Sequence, residues 1–156
     1  MTAAFTLAPV RKTVTVVAPR ERAFQIFTGR MSAWWPLTSH HIGAAVATAA
    51  VIEPFAGGRW FERDDDGSEC NWGRVIAWEP PTRLLLDWQI TADWRFDGEL
   101  HTTVEVQFIA LDDRHTRIDL EHRDLHAYGA RAAEMQGGLD SPGGWTGLLA
   151  AFAAAT

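Results

Sequence analysis

His122 closes an alternating run in which Thr116, Ile118, Leu120 and His122 share one face, opposite Arg117, Asp119 and Glu121. An imidazole on the apolar face of a strand has two uses. It hydrogen-bonds or exchanges protons with a ligand near neutral pH, or it is a core group satisfied by a structural partner. The indoles are the other chemistry on offer, since the chain carries 8 Trp and 8 Phe against 1 Tyr. Each indole brings a large apolar face and one N–H that needs an acceptor when buried, so this many either fill an irregular core or line a pocket. Trp72, Trp88 and Trp145, with Phe108, are the candidate walls, and Trp94 in "TADWRF" is a candidate gate on a loop. Arg74, with Arg59 and Glu62 nearby, is the candidate anchor for an acidic ligand group. The competing reading is that strand charges face solvent on the open side of a sheet.

Searches for other chemistry find little. His40 and His41 are adjacent and diverge on a regular element, and His122 and His126 have a spacing that suits a metal only on a helix. No GxSxG, HExxH or phosphate-cradling glycine loop is present. "DDDG" lacks the later Glu and alternating ligands of a calcium loop, and reads as a solvated turn. Cys70 has no evident activating partner and reads as an inert small residue. No metal and no cofactor is expected.

These residues must be positioned by an ordered series of elements. "RKTVTVVAP" alternates and stops at proline, a first strand. "PRERAFQIFTG" follows as a helix, with Ala23, Phe24, Ile26 and Phe27 on one side, and "RMSAWWPL" as a second short helix ended by Pro36. Trp34 and Trp35 then seal the helical pair against the sheet or cap a cavity mouth. From Ala45 the pattern turns to strands: "VATAAVIEP", "GGRWFERD", "ECNWGRVIAWE", "RLLLDWQI", "HTTVEVQFIAL" and "RHTRIDLEH", separated by "DDDGS", "PPT", a loop or edge, and "DDRH". Leu84, Leu86, Trp88 and Ile90 form one apolar face, as do Val104, Val106 and Phe108. In Glu69–Glu79 strict alternation puts Cys70, Trp72, Arg74, Ile76 and Trp78 together, opposite Asn71, Gly73, Val75 and Ala77, and either face could point inward. The tail "SPGGWTGLLAAFAAA" predicts a long helix capped by Ser141 and begun by Pro142. Trp145, Leu148, Leu149 and Phe152 line its buried stripe, and an uncharged alanine side could meet other structure or a second subunit. The expected fold is α+β: a curved antiparallel sheet of six to seven strands gripping a C-terminal helix, with two short helices after the first strand.

Bulk properties narrow the function classes. At 156 residues the chain has the length of one domain, 1–156. A formal charge of -6 argues against a nucleic-acid partner. No apolar run is long enough for a membrane span, and the first ten residues lack the pattern of a secretory signal. A lone cysteine excludes an intrachain disulfide and fits a reducing, cytoplasmic setting.

The stretch "GGRWFERDDDGSECNWGRVIAWEPPTRLLLDWQI" resembles the SRPBCC superfamily of START and birch-pollen-allergen-like helix-grip proteins, in particular the bacterial group similar to the activator of heat-shock-protein-90 ATPase. The resemblance rests on Gly57–Gly58–Arg59, Asp66–Gly67, Gly73–Arg74–Val75, Pro80–Pro81, Leu84 and Trp88. It continues through Thr116 to His122 and into Gly144–Trp145. It implies a cavity between sheet and final helix. Three functional readings follow: a binding protein for a hydrophobic or aromatic small molecule, a cyclase- or dehydratase-like enzyme on a polyketide-like substrate, and a chaperone-associated interaction module. A homodimer is a further expectation.

Overall fold

β-branched residues alternating with polar ones set the first strand, β1 (Val10–Val16), whose ends Val10 and Val16 are buried. A computed structural model describes residues 7–156; the expectation about a secretory signal rests in part on residues 1–6, which lie outside the described residues. Pro19 precedes α1 (Arg20–Gly29), which buries Ala23, Phe24, Ile26 and Phe27 as its spacing predicts, and α2 (Met31–Trp34) ends before Pro36. Six strands follow: β2 (Ala47–Ile52), β3 (Arg59–Asp64), β4 (Glu69–Glu79), β5 (Arg83–Trp88), β6 (Thr102–Ala110) and β7 (Thr116–Arg123). They form one seven-stranded antiparallel sheet in the order β1-β7-β6-β5-β4-β3-β2, a curled half-barrel with β1 and β2 at its edges. Hairpins join neighbours from β2 to β7, and the α1–α2 pair carries the chain from one edge to the other.

Alternation holds wherever the ladder is regular. In β7 Thr116, Ile118, Leu120 and His122 are all buried, and in β6 so are Val104, Val106 and Phe108. β4 departs from it, and neither face drawn by strict alternation exists. Its register shifts by one residue against β3 between Trp60 and Phe61, and again against β5 between Val75 and Ala77. Each bulge inserts one unpaired residue and reverses the parity beyond it. The result buries Trp72, Gly73 and Val75 and half-buries Trp78, while Arg74 and Ile76 are exposed on the outer side. Gly73 is required there because a Cβ would run into the Asp87 backbone carbonyl on β5.

The helical tail also differs from expectation. A 3-10 segment (Leu125–Arg131) and α3 (Ala132–Asp140) occupy residues to which the sequence analysis assigns no element. Gly143 and Gly144 then break the run, so α4 (Trp145–Ala154) starts three residues after Pro142. Trp145, Leu148, Leu149 and Phe152 are its buried stripe, as predicted. Phe152 packs edge-on against Phe27 and Trp34, so α1, α2 and α4 share one core over the concave face of the sheet. Among the described residues no helix is long and apolar enough to cross a membrane.

Candidate functional site

Between the sheet and α3–α4 lies a cavity of about 490 Å³, open on one side. Trp72 and Trp88, with Ile90 just past β5, form its sheet wall; Leu139 and Leu148 form its helical wall. Trp35 and the segment Ser39–Ile42 close a third side, and Trp94 stands at the edge. The volume and the apolar lining suit a small organic molecule.

The third side is held by a carboxylate that faces inward. β3 alternates regularly enough to send Trp60, Glu62 and Asp64 to the concave face, all three buried, so these two acids are not the solvated charges their types suggest. Glu62 Oε1 accepts the Ile42 N–H at 2.6 Å and the Trp72 Nε1–H at 2.9 Å, and Oε2 accepts the Gly43 N–H at 3.2 Å. One side chain thus fixes both a cavity indole and the loop beside it. Burial raises the Glu62 carboxyl, but hydrogen bonds from Asp64, Ile42, Trp72 and Gly43 outweigh it and hold the group below the ordinary range. Asp64 goes the other way. Burial, then its contact with the charged Glu62, pushes it up to about 6, so the pair holds one proton, on Asp64, in mild acid.

That inversion has a measurable consequence. The native state keeps the Asp64 proton between about pH 4 and 6 while the unfolded chain has released it. Stability from this site is therefore present at low pH and lost as pH rises through that window, by about 1.4 kcal/mol per unit. In Asp64→Asn the slope disappears, so urea unfolding should show the variant gaining on the wild type by roughly 2–3 kcal/mol between pH 4 and 7. A difference independent of pH would contradict the shared proton.

His40 straps the loop across the opening. Its Nε2–H donates to the Gly143 carbonyl at 2.7 Å, Nδ1 accepts from Ser39 Oγ at 2.7 Å, and its own carbonyl accepts the Trp35 Nε1–H at 2.9 Å. His41 turns the other way, onto the cavity wall, with Nδ1 at 3.1 Å from the Gly43 carbonyl.

Of the residues singled out by sequence, Trp72, Trp88 and Trp94 line the cavity. Trp94 is 53% exposed and has a φ of 61°, an unusual conformation for a bulky side chain. Trp145 and His122 lie behind the wall. Trp145 Nε1–H donates to His122 Nδ1 at 3.0 Å; Nε2–H therefore donates to Thr102 Oγ1 at 2.8 Å, and that hydroxyl donates to the Trp88 carbonyl at 2.8 Å. Every polar atom of this relay is spoken for. His122 is fully buried, and burial depresses its pKa to about 3, so it is a neutral structural imidazole that clamps α4 to β6 and β7. Phe108 packs on Phe24 and Phe27 away from the cavity, and Arg74 is exposed on the outer side. Neither contributes to this wall.

Sequence reasoning named Glu62 only as a possible ligand anchor and missed its role as the acceptor that holds the loop and Trp72; it did not single out His41, Leu139 or Leu148 as site residues. Glu62 shares parity with Trp60 in "RWFERD", which was the available signal; Met135 and Leu139 at i, i+4 announce the buried side of α3.

The family described as activator of Hsp90 ATPase homolog 1-like protein matches residues 17–155. Among solved structures the chain is similar to an anthrahydroquino-γ-pyrone synthase, Txn09, determined with a compound designated SUM, at 38% identity over 97% of this chain and 98% of that one, with a TM-score of 0.68. It is also similar to CalC of Micromonospora echinospora, a self-sacrificing resistance protein, at 29% identity over 95% and 93% of the two chains, TM-score 0.72. The Aha1 dimer of Colwellia psychrerythraea matches at 13% identity over 96% of each chain, TM-score 0.62, a likeness of fold alone. No curated protein matches the chain.

Proposed function

The chain belongs to the activator of Hsp90 ATPase homolog 1-like family and has the SRPBCC helix-grip fold, and from that premise we propose that it binds a flat hydrophobic or aromatic small molecule between the sheet and α3–α4. The observation that carries this reading is the open cavity with indoles from Trp35, Trp72, Trp88 and Trp94 around it. Burying a planar ligand there removes apolar area from water at about 25 cal/mol per Å², and stacked aromatic pairs add to that. Titration of intrinsic tryptophan fluorescence with anthraquinone tests it, with saturable quenching as the expected result. Trp94→Ala should weaken binding roughly 3- to 10-fold while changing stability by less than about 0.5 kcal/mol, because the side chain is half in solvent. Unchanged affinity would remove Trp94 from the site.

An enzymatic reading, a cyclase- or dehydratase-like activity on a polyketide-like substrate, is favoured by one observation: the 38% identity to a named synthase over almost the whole of both chains. In that reading His122 is not the proton-moving group, because both its nitrogens are engaged behind the wall. Purified protein incubated with an anthrahydroquinone-type polyketide and assayed by mass spectrometry distinguishes turnover from binding. The chaperone-associated reading draws only on the family description and on similarity of fold. The same proposal places the protein in the cytoplasm as one domain, 1–156. A second copy would pack on the exposed alanine side of α4, at Ala150 and Ala154, and light scattering reads that directly.

A further inference from the structure

The polar atoms around the cavity are almost all committed to the protein itself. Trp35 Nε1–H is held by the His40 carbonyl and Trp72 Nε1–H by Glu62. Ser39 Oγ is held by His40, Ser141 Oγ donates to the Gly138 carbonyl at 2.6 Å, and both nitrogens of His40 are used. Trp88 Nε1–H is buried without an acceptor in hydrogen-bond geometry, beside the Tyr128 hydroxyl, and Trp94 Nε1–H is a donor at the edge. Among the lining side chains this leaves one nitrogen acceptor without a partner among the described residues.

That acceptor is on His41. A backbone carbonyl can only accept, so the 3.1 Å contact with the Gly43 carbonyl requires the proton on Nδ1. The neutral ring then carries a bare lone pair on Nε2, and no hydrogen-bond partner among the described residues claims it. The ring is half-buried on the cavity wall, and its backbone is held in place because the next two residues, Ile42 and Gly43, are pinned by Glu62. Tautomer and position are thus both set by the surrounding loop, which is the arrangement of a recognition group rather than of a solvated surface histidine.

We propose that His41 Nε2 accepts a hydrogen bond from a hydroxyl of the bound molecule, so that the cavity selects phenols or enols among flat aromatic ligands. The inference rests on the reading of the cavity as a ligand site. An aromatic body fills the space between the indoles and Leu148, and its O–H points to the His41 side of the opening. A ligand of the same shape without that donor loses the bond and leaves the imidazole to water.

The test compares three probes: 2-hydroxyanthraquinone, 2-methoxyanthraquinone and anthraquinone, titrated into the wild type, His41→Phe and His41→Gln. The wild type should bind the hydroxylated probe about 10-fold more tightly than the other two, the size of one good hydrogen bond. In His41→Phe that ratio should fall to about one with anthraquinone affinity kept, and His41→Gln, whose amide oxygen accepts, should retain part of the preference. Equal binding of all three by the wild type would overturn this inference and leave the cavity reading standing. Retention of the full preference in His41→Phe would do the same. Failure of every probe to bind would overturn both.

Discussion

Glu62→Ala should lose about 3–5 kcal/mol of stability, a large share of what a domain of this size has. Truncation strands three N–H donors at once, those of Ile42, Gly43 and the Trp72 indole. The Trp72 donor is buried and those of Ile42 and Gly43 are half-buried; a fully buried donor left without an acceptor costs about 1–3 kcal/mol, a half-buried one less, and bonds to a charged acceptor are the stronger kind. Relief of the repulsion on Asp64 returns part of this, and the Asp64 carboxyl should drop from about 6 toward its ordinary range. Affinity for a cavity ligand should fall as well, since the loop carrying His41 loses its attachment. Glu62→Gln keeps an acceptor oxygen and should recover a substantial part of the loss. Urea unfolding at pH 7 reads all three proteins, and a deficit below about 1 kcal/mol for Glu62→Ala would mean the loop is held by something else.

His122→Leu should cost about 2–3 kcal/mol at pH 7 without changing ligand affinity. It leaves Trp145 Nε1–H buried with no acceptor and removes the clamp between α4 and the sheet, while Thr102 keeps its bond to the Trp88 carbonyl. The pH dependence gives the stricter test. With a native pKa of about 3, this imidazole stays neutral where the unfolded chain takes up a proton below about 6.5. Its contribution is therefore full above that value and is lost as pH falls, by about 1.4 kcal/mol per unit. The variant has no such loss, so the two stability curves should cross between about pH 4 and 5. Parallel curves would show that His122 titrates normally in the folded state. A loss of ligand affinity with stability intact would make it a ligand group after all.

How far the sequence reveals this molecule depends on where the chain is regular. Strands β5, β6 and β7 alternate without interruption, so the inward positions of Leu84, Val106 and His122 follow from parity alone. In β4 two bulges insert one residue each, and no pattern of residue types announces them; Gly73 marks only the crowding against β5. This is why Arg74 turns out to face away from the cavity. Glu62 is concealed for another reason. A buried carboxylate is stable only where three donors converge on it, and two of those come from a loop some twenty residues earlier, which local periodicity cannot bring to β3. The same holds for the adjacent histidines: their divergence is legible, but the roles depend on Gly143 and Gly43, one far along the chain and one in the next turn. Cavity residues contributed by α3 belong to the same class, since the stretch between β7 and Ser141 shows only a short apolar pair.

The central claim is that an aromatic molecule occupies the space between Trp72, Trp88 and Leu148. The eight tryptophans report on it most directly, because each indole N–H gives its own signal in a nitrogen–proton correlation spectrum of labelled protein. On addition of 2-hydroxyanthraquinone the signals of Trp35, Trp72, Trp88 and Trp94, which line the cavity, should shift together and saturate. Those of Trp34, packed among Phe27 and Phe152, and Trp78, packed on Phe24, should stay in place. Shifts confined to Trp94, or spread evenly over all eight, would contradict a ligand seated in the cavity.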